Sequence, residues 1–95
     1  MRTEKGICYL CDSWEYTHYH HIFHGTANRK IADREGLGVY LCRDCHEEVH
    51  RDADLNWRLQ KEAQGIWEQR YIEQGHTEEE ARREFMRLFG KNYIY

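Results

Sequence analysis

Proline is absent from this 95-residue chain, and no Ser/Gly-rich stretch interrupts it. Nothing reads as a linker, and the length predicts one domain. Long hydrophobic runs are also missing. No segment approaches the roughly 20 apolar residues of a membrane span. The polar start Met1-Arg2-Thr3-Glu4-Lys5 is not followed by the apolar stretch of a secretory signal. The expectation is a cytoplasmic protein with no membrane partner, a setting in which paired cysteines more often bind metal than form disulfides. An excess of positive charge is lacking too: Lys and Arg number 14 against 17 Asp and Glu, a net charge of −3. That excludes a protein that coats DNA by charge alone, so a nucleic-acid role needs a local basic patch or a metal ion. With 33% charged and 40% apolar residues, the chain suits a globular domain better than a disordered tail. A domain this small buries little apolar area, and metal staples commonly supplement such cores.

What the chain does have is metal-ligand chemistry. Cys8 and Cys11 form one Cys-x-x-Cys pair, and Cys42 and Cys45 form a second. Each pair places two thiolates on one turn, and two such turns close a tetrahedral site. Four thiolates leave no open coordination position, so this site is expected to hold a structural Zn²⁺. A disulfide pair or a redox motif are the alternatives, but a redox Cys-x-x-Cys normally opens a helix in a βαβ unit, which is not seen here. The second set is Tyr19-His20-His21-Ile22-Phe23 together with His46 and His50. His46 and His50 lie four apart on a predicted helix and share a face, within reach of one metal ion. His20 and His21 are adjacent on a predicted strand and start on opposite faces. One can bind metal while its neighbour stays free for proton transfer. His18 shares a strand face with His20 and is a candidate for a supporting or alternative ligand. His24 and His76 have no spacing partner. Substitution of His46 or His50 into the cysteine site is a further alternative.

Periodicity places these residues on elements. Residues 6–11 read as a short strand and turn, and the aromatic and Thr-rich residues 14–24 as a strand. Residues 27–35 read as a short basic helix closed by Gly36, Leu37 to Leu41 as another strand, and Cys42 to Arg51 as a helix. A long helix is predicted from Asp54, its N-cap, to about Gln74, with Leu55, Leu59, Ala63, Ile66 and Trp67 at near-helical spacing. Thr77-Glu78-Glu79-Glu80 is a capping-box sequence opening a last helix that ends at Gly90. The organisation expected is an α+β protein: a ββα-metal module clamped by the four cysteines (1–51), with a two-helix appendage (52–95) packed on it. Trp57, Trp67, Tyr71, Phe85 and Phe89 are expected to form a core against the module. The tail Asn92-Tyr93-Ile94-Tyr95 either docks or mediates self-association.

Cys-x-x-Cys, then His-His, then Cys-x-x-Cys-His-x-x-x-His, in strand–loop–strand–helix order, resembles the HNH (ββα-metal) endonuclease family, in its cysteine-bearing zinc-knuckle subgroup. The likeness runs from Cys8 to Arg51. The stretches Tyr19 to Gly25 and Gly36 to Cys42 are also similar to small phage and prophage-encoded HNH-like proteins. The resemblance implies that His20 and His46 are ligands of a catalytic ion, that His50 is a further ligand, and that His21 is the general base. It implies that Cys8, Cys11, Cys42 and Cys45 form the zinc knuckle. In one respect the chain departs from the family: the asparagine usually found nine residues before the helix histidine is Leu37 here. Asn28 or backbone carbonyls are the candidates to brace the base in its place.

The function implied is metal-dependent hydrolysis of DNA phosphodiester bonds, with His21 taking a proton from water and 5′-phosphate and 3′-hydroxyl products. Nitrogen ligands suit Mn²⁺, Ni²⁺, Co²⁺ or Zn²⁺ better than Mg²⁺, which stays open. Arg29, Lys30, Arg34 and Arg43 are candidates to position phosphates, or form a solvated face. DNA is the expected partner; a phage or host protein partner and a homodimer are compatible with the small size. The rival class is a non-catalytic zinc-binding DNA- or protein-interaction module, with Trp14, Tyr16 and Tyr19 as its contact surface.

Overall fold

A computed structural model describes residues 3–94. The chain runs β1 (Thr3–Ile7), β2 (Trp14–His21), α1 (Thr26–Glu35), β3 (Gly38–Cys42), α2 (Arg43–Arg51), α3 (Ala53–Glu73) and α4 (Glu78–Phe89). The strands form one antiparallel sheet in the order β1-β2-β3. The protein is therefore α+β, with a β2–β3–α2 unit followed by two C-terminal helices. No helix among the described residues is long and apolar enough to cross a membrane.

Local chemistry accounts for the element ends. Gly36 closes α1 in the left-handed region (φ 70°), its N–H donating to the carbonyls of Ala32 and Asp33. Thr77 and Glu80 form the capping box of α4: the Glu80 N–H donates to the Thr77 hydroxyl (3.1 Å) and the Thr77 N–H to the Glu80 carboxylate (2.8 Å). At two places the elements start earlier than their patterns indicate. The first strand is Thr3–Ile7, because residues 8–13 turn back on themselves: the Cys8 N–H donates to the Ser13 carbonyl, the Asp12 N–H to the Cys8 carbonyl, and Asp12 adopts φ 61°. The cap of α3 is Asp52, not Asp54, its carboxylate accepting from the N–H groups of Asp54 and Leu55 (3.0 and 3.1 Å). Gly38 is required by packing, since a Cβ there would overlap the Tyr19 ring from the neighbouring strand.

One buried cluster draws on both halves of the sequence: Ile22, Phe23, Leu37, Leu41 and Val49 meet Leu59, Ala63, Trp67, Phe85, Phe89 and Tyr93. Phe23, fully buried, touches Phe89, Tyr93 and Phe85 with ring centroids 4.7, 5.0 and 5.7 Å apart. Two residues expected inside lie outside. Ile66 is 45% and Trp57 42% exposed, Trp57 because its indole N–H reaches the Tyr93 carbonyl at the surface (2.7 Å). The arc of α3 that Ile66 was expected to share is completed instead by a polar residue. Gln64 is fully buried, donates to Glu68 (2.7 Å) and Asn92 (2.9 Å), and accepts from the Tyr93 N–H (2.7 Å). With its hydrogen bonds made, the buried amide carries little desolvation penalty, and it docks the tail at Asn92–Tyr93. Tyr95 lies outside the described residues.

Phe23→Ala removes the ring that joins the end of β2 to α4, and truncations of this kind cost about 3–5 kcal/mol. The urea midpoint should fall accordingly. An unchanged midpoint would show that the helices are not held by this contact.

Candidate functional site

Among the described residues, metal-ligating side chains come together in two clusters. The first consists of Cys8, Cys11, Cys42 and Cys45, whose sulfurs all lie within 4.8 Å of one another; none of the four is in a disulfide. The turn after β1 supplies the first pair and the β3–α2 junction the second. Cys42 is also the N-cap of α2, its sulfur accepting from the Cys45 N–H (3.4 Å). Helix-start N–H groups and the helix dipole both favour a thiolate there. A tetrahedral zinc–thiolate site with bonds near 2.3 Å puts sulfurs about 3.8 Å apart, and Cys11 Sγ lies 3.7 Å from Cys42 Sγ. The set fits a structural metal such as zinc. Without metal, Ser13 and its hydroxyl beside Cys11 lower that thiol to about 7, while burial pushes Cys42 and Cys45 up. Binding at these thiols must therefore release protons.

The second cluster is His20, His46 and His50, with one ring nitrogen of each within 4.8 Å of the others. β2 supplies His20, and the face of α2 turned to that strand supplies His46 and His50. The Nε2 atoms of His46 and His50 are 3.3 Å apart, close to the roughly 3.4 Å between nitrogens on a tetrahedral ion with bonds near 2.1 Å. His20 is 2% exposed, and its Nε2 is buried with no hydrogen-bond partner. A buried unpaired ring nitrogen is costly unless a ligand meets it. Burial and the neighbouring His46 and His50 depress His20 to about 4, and burial with the neighbouring His50 and His18 lowers His46. His20 and His46 thus favour the neutral imidazole, the form that ligates metal. His18 stacks on His46 with centroids 5.9 Å apart and lies outside the three-nitrogen set. His76 is remote, stacked on Tyr71.

Around these rings lies a half-open pocket of about 330 Å³ lined by Tyr19, His20, His21, His24, Arg29, His46 and His50. His21 is partly exposed here, its Nε2 3.3 Å from the Asp33 carboxylate, and the Tyr19 ring packs edge-on against it (centroids 5.0 Å). Asp33 is a site residue that the sequence reading missed; its only signal was a carboxylate on the helix between the strands. Asn28, a residue expected to brace His21, is engaged elsewhere: its amide donates to the His24 carbonyl (3.0 Å). Leu37, at the position of the family asparagine, is buried in the core. Of the four basic candidates, only Arg29 lines this pocket among the described residues. Arg43 pairs with Glu47 on the exposed side of α2, Lys30 is exposed on α1, and Arg34 lines a separate groove.

No match to the chain was found among protein families, curated proteins or solved structures.

Cys42→Ser removes a thiolate from the four-sulfur set while its hydroxyl can still cap α2. The variant should lose bound zinc and a large part of its thermal stability; unchanged zinc content and melting temperature would refute the four-thiol site. A pH dependence follows from His20. Its folded value, about 4, lies below its ordinary 6.5, so the unfolded chain binds the extra proton between these values. With the histidine site metal-free, stability is fully present above pH 6.5 and is lost as pH falls towards 4. Urea titrations across this range should show a shallower decline for His20→Gln, and identical slopes would exclude His20 as the source.

Proposed function

We propose that this protein is a metal-dependent endonuclease of the HNH type that hydrolyses DNA phosphodiester bonds. The reading rests on one observation: three histidines from β2 and α2 converge around a buried, unpartnered Nε2, with a fourth, His21, held by a carboxylate at the rim of the same pocket. His20, His46 and His50 would hold a divalent ion, which would supply charge stabilisation at the scissile phosphate and the leaving 3′-oxygen. His21 takes the proton of the attacking water through one ring nitrogen, while the other faces Asp33. Asp33 orients the ring, the part an asparagine plays in the family, and its charge stabilises the protonated form. Arg29 binds a phosphate oxygen in the same pocket. The cysteine cluster holds a structural zinc that keeps β3 and α2 in place and takes no part in the chemistry.

A second reading is favoured by a different observation. Ile7, Trp14 and Tyr16 are 61%, 65% and 68% exposed on the paired strands β1 and β2, an apolar patch suited to a zinc-stabilised interaction module. Metal content separates the two: a nuclease binds a second ion at the histidines, and a module holds one at the cysteines.

Supercoiled plasmid with Mg²⁺, Mn²⁺ or Ni²⁺ should be nicked by the wild-type protein and not after chelation. His21→Ala should lose about 100-fold or more of the rate, and Asp33→Asn up to about 100-fold through a misoriented base. A zinc-loaded, folded protein that binds no second ion and cuts nothing would leave the interaction module as the function.

A further inference from the structure

Away from the histidine pocket, three helices bring arginines to a single groove of about 290 Å³: Arg34 from α1, Arg70 from α3 and Arg87 from α4, with Tyr71 and Gln74 on its wall. In a chain of net charge −3, such a meeting of like charges is a local exception. Two carboxylates stand among them. Glu35 pairs with Arg34 at 3.3 Å and also accepts from the Trp67 indole N–H at 2.7 Å, and Glu84 pairs with Arg87. Arg70 is met by a carbonyl, that of Glu35, at 2.9 Å. Three guanidinium groups against two carboxylates leave a positive excess. Each guanidinium carries five N–H donors, and the contacts above use one of Arg34, one of Arg70 and two of Arg87. The remaining donors suit an oxyanion with several acceptor oxygens, and planar guanidinium groups favour phosphate in particular. The Tyr71 ring is covered on both faces, by Trp67 (5.1 Å) and His76 (3.9 Å). It therefore does not offer a stacking platform for a base, and the arginines direct the groove towards backbone phosphate.

We infer that the Arg34–Arg70–Arg87 groove is a phosphate clamp for a nucleic-acid backbone, a second binding point beside the histidine pocket. Helix α1 connects the two places: Arg29 lines the pocket and Arg34 the groove. The two arginines are five residues apart on α1, an advance of about 7.5 Å along its axis. The clamp holds a phosphate outside the bond to be cut, and it supplies the local basic surface that the overall charge denies. The assignment extends the nuclease reading to the path of its substrate, and the clamp itself is tested by binding alone.

The test is fluorescence anisotropy of the zinc-loaded full-length protein with labelled duplex and single-stranded oligonucleotides over a salt series. Arg34→Gln and Arg87→Gln should each raise Kd about tenfold and lower the salt slope by about one phosphate contact. Both side chains are largely exposed, and melting temperatures check that the variants are folded. Lys61→Gln, a charge lost beside Trp57 on another surface of α3, should leave Kd and slope unchanged. The duplex and single-strand arms identify the form of backbone that is held. Equal slopes for wild type and both arginine variants, an equal loss in Lys61→Gln, or binding of inorganic phosphate without any oligonucleotide would each overturn the clamp. Arginine-dependent binding by a protein that cuts no substrate would uphold the clamp while the nuclease reading falls. Cleavage with binding untouched by the arginine variants would do the reverse.

Discussion

Both clusters of ligating side chains depend on the antiparallel register between β2 and β3. Thr17 pairs with Cys42, His18 with Leu41 and His20 with Val39. A slip of one residue would turn every side chain of β2 to the other face. His20, now buried beside His46 and His50, would then leave α2. The same register brings Cys42 to the point where β3 ends and α2 begins, so that one sulfur caps the helix and joins the four-thiol set. The direction in which α2 leaves the sheet is thereby tied to the cysteines, and with it the position of His46 and His50 opposite the strand.

The rest of the molecule supports that junction from the other side. Phe23, two residues beyond His21, is locked among Phe85, Phe89 and Tyr93. The tail that carries Tyr93 is in turn fixed by the buried amide of Gln64. The C-terminal helices are therefore the other half of the core, and they hold the end of the histidine-bearing strand. A chain of this length has no apolar area to spare, and the division of labour between a metal-ligating end and an aromatic end follows from that limit.

The two clusters differ in chemistry as well as position. Four sulfurs form a closed set that leaves no place for substrate. Three imidazoles form an incomplete one, opening on a pocket with Arg29, His21 and His24 at its edge. Burial keeps His20 neutral, whereas His21, one residue on, is partly exposed and paired with Asp33. Adjacent strand positions on opposite faces give two equal side chains unequal environments, and this asymmetry is the physical basis for assigning them different roles.

What can be read from neighbours in sequence was legible. The capping box at Thr77, the glycine stop at Gly36, the two Cys-x-x-Cys turns, the shared face of His46 and His50 and the α+β class all follow from spacings of a few residues, which backbone geometry converts directly into shared turns and faces. Small shifts, such as Asp52 for Asp54, arose where two acidic residues competed for one cap. What depended on packing across the chain was not legible. That Asp33 rather than Asn28 meets His21, that Arg34 joins Arg70 and Arg87 instead of Arg29, and that Gln64 is buried while Ile66 is not, all result from how α1, α3 and α4 sit against one sheet. Sequence alone determined which residues can ligate metal and which elements carry them. Tertiary structure decided which of those residues meet, because contacts between distant segments are selected by the shape of the shared core and leave no periodic trace in the chain.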